Sequence, residues 1–281
     1  MLNALVWGTS WWPLRQFESV GLHPLWATAL IYGVVLVGIT AWRPAAWRQL
    51  LGTPSLWWLV LAAGTTNACF NWGVTIGDVV RVVLLFYLMP LWAVLLARLL
   101  LDEALTAATA LRVTMALAGA AVVLWPTGTA GGSGGLPLPD TLAEWLGVVG
   151  GFSFALNNVL LRRESQQPEA ARALAMFLGG TVVAALLALV LTAQGRVPGP
   201  PPLSAGWIAG GLAMALAFLV GNLALQYGAS RLRAGTTAVI MITEVIFAAG
   251  SAVLLGAGVL TPAVLIGGAL IVGAALLASR G

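Results

Sequence analysis

Residues 56–101 read LWWLVLAAGTTNACFNWGVTIGDVVRVVLLFYLMPLWAVLLARLLL. Two apolar runs meet at Gly77-Asp78, and each has the roughly 20 residues that a helix needs to cross the hydrocarbon layer of a bilayer. Only Asp78, Arg81 and Arg98 in this stretch carry charge. A junction as short as Gly-Asp predicts a tight helical hairpin, two spans running antiparallel.

The rest of the chain repeats the pattern. Of its 281 residues, 60% are hydrophobic and only 8% are charged. Soluble domains carry roughly 25% charged residues. A compact soluble fold of this size could not hide so much apolar surface, whereas a bilayer solvates it directly. Spans are expected at about 2–19, 23–42, 56–77, 79–101, 106–125, 142–162, 169–192, 204–226, 233–257 and 262–279. Pro24, Pro54, Pro168 and Pro262 stand at or just before helix starts, where a missing N–H costs nothing. The first span holds Arg15 and Glu18, so it should face protein or water rather than lipid. Residues 126–141, rich in Gly and Pro, read as a linker between halves 1–125 and 142–281.

All 13 basic residues are Arg, and their distribution sets the orientation. With the N-terminus inside, the inner loops and helix ends hold Arg43, Arg48, Arg98, Arg112, Arg162, Arg163, Arg172, Arg231, Arg233 and Arg280. The outer side keeps Arg15, Arg81 and Arg196, a strong positive-inside bias. Both termini are then cytoplasmic. Trp42, Trp47, Trp57 and Trp58 gather at the inner interface and Trp26, Trp125, Trp145 and Trp207 near the outer one, the position an amphipathic ring favours.

The halves also resemble each other. Trp7-Gly-Thr-Ser-Trp-Trp-Pro-Leu-Arg15 aligns with Phe154-Ala-Leu-Asn-Asn-Val-Leu-Leu-Arg162, and Asn71–Gly77 aligns with Asn222–Gly228. Five spans is an odd number, so the second copy enters the membrane from the opposite side, as in many secondary transporters. The expected fold is therefore all-α and integral to the membrane: ten transmembrane helices as two inverted five-helix repeats around a central cavity.

With these motifs in place, the chain resembles the drug/metabolite transporter superfamily, in particular its EamA-type ten-span members. The likeness rests on Trp7-Gly-Thr-Ser10, on Asn71 to Pro90 with Tyr87-Leu-Met-Pro90, on Leu101-Asp-Glu-Ala-Leu-Thr106 and on Ala155 to Arg163. The family's usual Gly-Glu-Arg after the fourth span is replaced here by Asp102-Glu103-Ala104. The resemblance implies a secondary transporter, and the aromatic-amino-acid exporters are the members most alike.

Intramembrane polar groups are expensive and face inward. Glu244 stands in the middle of the ninth span, a candidate proton carrier or a carboxyl bonded to a neighbouring helix. Asn67 and Asn71 lie four apart on one helix face, as do Asn222 and Gln226. Together with Asn157 and Asn158 they are candidates to line the cavity, where amides can meet both ends of an amino acid. The alternative is hydrogen bonding between helices. Trp7, Ser10 and Trp11 of the first span and Tyr87 of the fourth complete the cavity candidates, since aromatic walls suit flat apolar solutes. Pro90 is a candidate hinge. His23, before Pro24, reads as a surface residue, and the glycine pairs 179–180, 210–211 and 267–268 read as close-packing sites.

Several chemistries are excluded. One His and one Cys, His23 and Cys69, build no metal centre and no disulfide. Gly131-Gly-Ser-Gly-Gly135 matches a hydrolase pattern but lacks the flanking strand and helix. No P-loop occurs. The scattered Arg residues form no nucleic-acid stripe. The expected protein is thus no enzyme and takes no cofactor. It would export small metabolites, chiefly aromatic or large neutral amino acids, by alternating access from a bacterial inner membrane, with lipid as its surroundings and protons as a coupling partner. An uncoupled facilitator, an exporter of drugs or other metabolites, and a membrane scaffold or enzyme stand as alternatives. Reporter fusions to both termini test the orientation. A reporter that works only in the cytoplasm is expected to be active at either end, and activity of an externally functioning one after Gly281 would contradict the assignment.

Overall fold

The computed structural model describes residues 1–101, 106–125, 138–229 and 234–278. The described residues form thirteen α-helices and no strand. These are α1 (Leu2–Thr9), α2 (Trp11–Ser19), α3 (Pro24–Trp42), α4 (Ala45–Leu51), α5 (Leu56–Ile76), α6 (Val79–Phe86), α7 (Met89–Leu101), α8 (Ala107–Leu124), α9 (Leu142–Arg163), α10 (Glu169–Ala193), α11 (Ala205–Ala229), α12 (Ala234–Leu254) and α13 (Pro262–Ala278). Helix therefore occupies every stretch where a span is expected. Residues 126–137 of the linker, the Asp102-Glu103 pair, Arg231 and Arg233 lie outside the described residues.

Local chemistry starts the helices. Asp78 caps α6 by accepting from the Arg81 N–H at 2.9 Å. Thr141 and Glu144 form a reciprocal capping box at the start of α9. The same Glu144 carboxylate pairs with Arg81 at 2.8 Å, which ties the start of α9 to α6. Pro24 and Pro262 are the first residues of their helices.

Three departures from the expected spans have physical causes. The first span is broken at Ser10 into α1 and α2, and the fourth at Tyr87-Leu88 into α6 and α7. Each upstream helix ends four residues before a proline, at Thr9 before Pro13 and at Phe86 before Pro90. A proline has no N–H for the carbonyl four residues back, so the ladder fails there. The bend expected at Pro90 thus falls one turn earlier. The third departure is α4, a short helix between the second and third spans that the sequence reading does not anticipate.

Five helical segments are long and apolar enough to cross a membrane: Pro24–Trp42, Val79–Leu100, Leu142–Arg163, Glu169–Ala193 and Ala205–Asn222. Shorter apolar helices add Ala110–Leu124, Thr243–Leu254 and Pro262–Leu277. The long helix α5 is not among the five. Thr65, Thr66, Asn67, Asn71 and Thr75 make it too polar for lipid, and it is covered instead by α9, α10 and α3. Other main pairs are α8 with α13, α3 with α10, α1 with α12 and α11, and α9 with α6 and α7.

Glycines let these backbones approach. A Cβ at Gly119 would sit 2.6 Å from the Gly267 carbonyl oxygen, so α8 and α13 cross in backbone contact. At the crossing of α5 and α10, a Cβ at Gly179 would strike the Val60 carbonyl, and one at Gly64 would strike that of Gly179. Lipid tails are as apolar as leucine, so such close contact is what holds spans together. Of the glycine pairs expected to pack closely, Gly211 is the exception and faces open space. Gly179→Ala is accordingly expected to destabilise the protein by about 1–3 kcal/mol, the usual cost of overpacking. Gly211→Ala should leave thermal stability in detergent unchanged, and equal melting temperatures for the two variants would refute the crossing.

Candidate functional site

The described core is knit by two kinds of contact. The first is a polar ladder between α3 and α5. The Tyr32 hydroxyl donates to Asn67 Oδ1 at 2.6 Å, and Asn71 Nδ2 donates to Thr28 Oγ1 at 3.0 Å. Thr28 and Tyr32 are four apart, as are Asn67 and Asn71, so antiparallel helices bring the pairs into register. Asn67 Nδ2 is also satisfied, by the Ala63 carbonyl at 2.8 Å. Asn71 is buried and its Oδ1 lacks a partner among the described atoms. Asn67 and Asn71 thus make the interhelical bonds weighed as the alternative to a cavity wall.

The second is a chain of aromatic rings. Trp7 stacks on Phe218 with centroids 4.7 Å apart and meets Phe70 edge-on at 6.0 Å. Phe70 continues to Phe86 at 4.9 Å, and Phe86 to Phe154 at 5.3 Å. Tyr32 joins from the other side, 5.8 Å from Phe218. The chain runs through α3, α11, α1, α5, α6 and α9, and so through both halves.

At the break of the fourth span, the Tyr87 hydroxyl donates to Glu244 Oε2 at 3.4 Å. Tyr87 is 2% exposed and Glu244 is 8% exposed. A Cβ at Gly8, next to the break of the first span, would lie 2.7 Å from the Glu244 carbonyl oxygen. Glu244 on α12 therefore sits beside both helix breaks. Trp11, just past the first break, donates through Nε1 to Ser251 Oγ on the same α12 at 2.9 Å. Ser10 is buried and bonds back to the Trp7 carbonyl at 2.8 Å.

The remaining candidates scatter. Asn157 is buried on α9 with its Oδ1 lacking a partner among the described atoms, while Asn158, one residue on, is exposed. Asn222 is partly buried. The side chains of Gln226 and Pro90 lie outside the described part of the structure. His23 is half-buried rather than a plain surface residue: its Nδ1 accepts from the Leu25 N–H at 3.2 Å and its ring meets Trp72 edge-on.

Two hollows open on this frame. An apolar groove of about 320 Å³ lies between the first break, α11 and α12, lined by Val6, Ser10, Met214, Phe218 and Ser251 among others. A second hollow, about 560 Å³, lies at the bundle end where α2 and α5 finish, and Arg15, Glu18 and Asp78 are in its wall. Neither hollow is lined by Asn67, Asn71, Tyr87, Asn157 or Glu244. In this conformation Asn71, Tyr87, Asn157 and Glu244 are buried, and Asn67 is partly buried. The sequence reading also passed over Thr28, Tyr32, Phe70, Phe218 and Ser251. Tyr32 carried a usable signal, a phenol in mid-span, which is what singled out Tyr87.

The comparisons with known proteins fit this architecture. No curated protein matches the chain by sequence. Among solved structures, one crystal structure of a protein is similar with a TM-score of 0.58 and 21% identity, over 99% of this chain and 93% of that one, which is a likeness of fold alone. The EamA-like transporter family model matches residues 1–125, the stretch that carries both helix breaks and the α3–α5 ladder. Residues 1–125 are thus similar to the EamA-like transporter family, as the motifs of that half indicate, and this match together with the long apolar helices points to an integral membrane protein of transporter type.

Proposed function

We propose that the chain is a secondary exporter of amino acids, aromatic or large neutral ones, working by alternating access through ten spans arranged as two inverted repeats. The packing supports the repeat. Matching the halves pairs α3 with α10, α8 with α13, and the broken fourth span with α12, and each of these pairs is in contact. That is the pattern a pseudo-two-fold axis in the membrane plane produces. The symmetry is unequal in extent. α5 is covered by α9 and α10, whereas its counterpart α11 leaves Ile208, Leu212, Leu216 and Val220 exposed along one face. Exchanging the two environments gives the second state of the cycle.

The observation that carries the coupling is the buried Glu244 carboxyl beside two discontinuous helices. Intramembrane carboxyls mark proton and substrate paths, and broken helices mark transport sites. A charged carboxylate needs water or strong partners, whereas a neutral one tolerates an apolar wall. Opening at the breaks would therefore let Glu244 exchange its proton, and closing would trap it. The apolar groove takes the substrate side chain, with the Ser10 and Ser251 hydroxyls at its edge.

Two measurements in proteoliposomes test this. Phenylalanine, tryptophan and large neutral amino acids should move faster than Asp or Lys. Equal rates, or no flux at all, would defeat the substrate assignment. Glu244→Gln keeps shape and hydrogen bonding but removes titration. It should abolish accumulation driven by an imposed pH gradient while leaving substrate exchange measurable. Normal pH-driven accumulation by Glu244→Gln would remove the residue from the proton path, and wild-type flux indifferent to the gradient would favour an uncoupled facilitator.

A further inference from the structure

The hollow at the ends of α2 and α5 contains an unusual charge arrangement. Arg15 and Glu18 are three apart on α2, a spacing at which opposite charges commonly pair. Here they do not. Arg15 is turned onto the C-terminal end of α5, where Nη2 donates to the Gly77 carbonyl and Nε to the Val74 carbonyl at 3.4 Å. Among the described contacts, no ion pair joins Arg15 to Glu18 or to Asp78. All three side chains line the same hollow of about 560 Å³.

Asp78 is likewise held in place. Its Oδ1 caps α6, and its Oδ2 accepts from the Val259 N–H of the α12–α13 loop at 3.0 Å. The Val79 N–H donates to the Ala257 carbonyl of that loop at 3.2 Å. The hollow is therefore built from both halves, with Arg15 and Asp78 each held in place by backbone contacts. Arg15 keeps Nη1 for a ligand, each Asp78 oxygen keeps a second lone pair, and no hydrogen bond of the described structure engages the Glu18 carboxylate.

We infer that this hollow is a second substrate site, which binds the charged ends of a free amino acid as it passes the mouth of the transporter. Arg15 receives the α-carboxylate, and Glu18 with Asp78 receives the α-ammonium. Opposite charges held apart on one wall complement a zwitterion and pair poorly with an amine or a carboxylate alone. The side chain stays outside this grip, so the mouth selects for the amino-acid backbone while the apolar groove selects for the side chain. The inference rests on the amino-acid reading of the transported solute. In the orientation proposed above, the mouth is on the outer face.

The test is sided flux of labelled phenylalanine in right-side-out and inside-out vesicles. Glu18→Gln is the main variant, because Glu18 supports no backbone. Its KM for phenylalanine on the mouth side should rise by about tenfold, the scale of losing one charge-assisted contact. The KM on the opposite face should stay at the wild-type value. Arg15 also caps α5, so Arg15→Gln is read through competition instead. 2-Phenylethylamine, which lacks the carboxylate, should compete poorly at the wild-type mouth and should approach phenylalanine in potency against Arg15→Gln. An unchanged mouth-side KM in Glu18→Gln, with wild-type flux intact, would overturn the mouth site and leave the amino-acid reading standing. Absence of any amino-acid flux in the wild type would overturn both.

Discussion

The carbonyl of Phe86 is where the constraints of this fold meet. Pro90 supplies no N–H to it, and a membrane interior supplies no water. A backbone carbonyl released in mid-span must therefore be covered by protein. Residue 151 on α9 is glycine, and a Cβ there would strike the Phe86 oxygen. The missing side chain lets α9 close over the carbonyl, with room for a weak Cα–H contact. Covered in this way, the fourth span can stay broken. Tyr87 ends α6 there, its N–H still bonded to the Val83 carbonyl and its hydroxyl to Glu244. The first span repeats the device at Thr9 and Pro13, with Gly8 giving α12 its close approach.

The two breaks also explain why the polar residues divide into two groups. Thr28, Tyr32, Asn67 and Asn71 bond to one another between unbroken helices within the first half. A ladder of that kind fixes α3 against α5 and resists rearrangement. Tyr87, Glu244, Trp11 and Ser251 bond across the halves at or beside the breaks. The first group joins α3 to α5, and the second joins α12 to the first and fourth spans.

How much of this was legible in the sequence follows from range. Apolar runs of span length are local, so every expected span coincides with helix. The capping residues Asp78 and Thr141 are local too. The breaks were only half legible. Proline announces a bend, but the ladder fails four residues earlier, at the carbonyl that loses its donor. The role of Asn67 needed Tyr32, thirty-five residues away and on another helix. An amide in a span announces that it needs a partner and does not say whether that partner is a ligand or a neighbour. The aromatic chain was missed because its rings come from helices of both halves, and no spacing along the sequence brings Trp7 to Phe218.

The inequality between the halves is the last consequence. It lies in how far protein covers α5 and α11. α5 carries Thr and Asn residues that need protein around them, and α9 and α10 provide it. α11, its counterpart, is richer in aliphatic residues and tolerates lipid on one face. Polar content thus accounts for the covering of α5 and for the exposed face of α11. Close glycine crossings at Gly64–Gly179 and Gly119–Gly267 join the halves by backbone contact. The side-chain bonds at the helix breaks are few by comparison. Beside the breaks, α12 is linked to the first and fourth spans through the side chains of Ser251 and Glu244 instead.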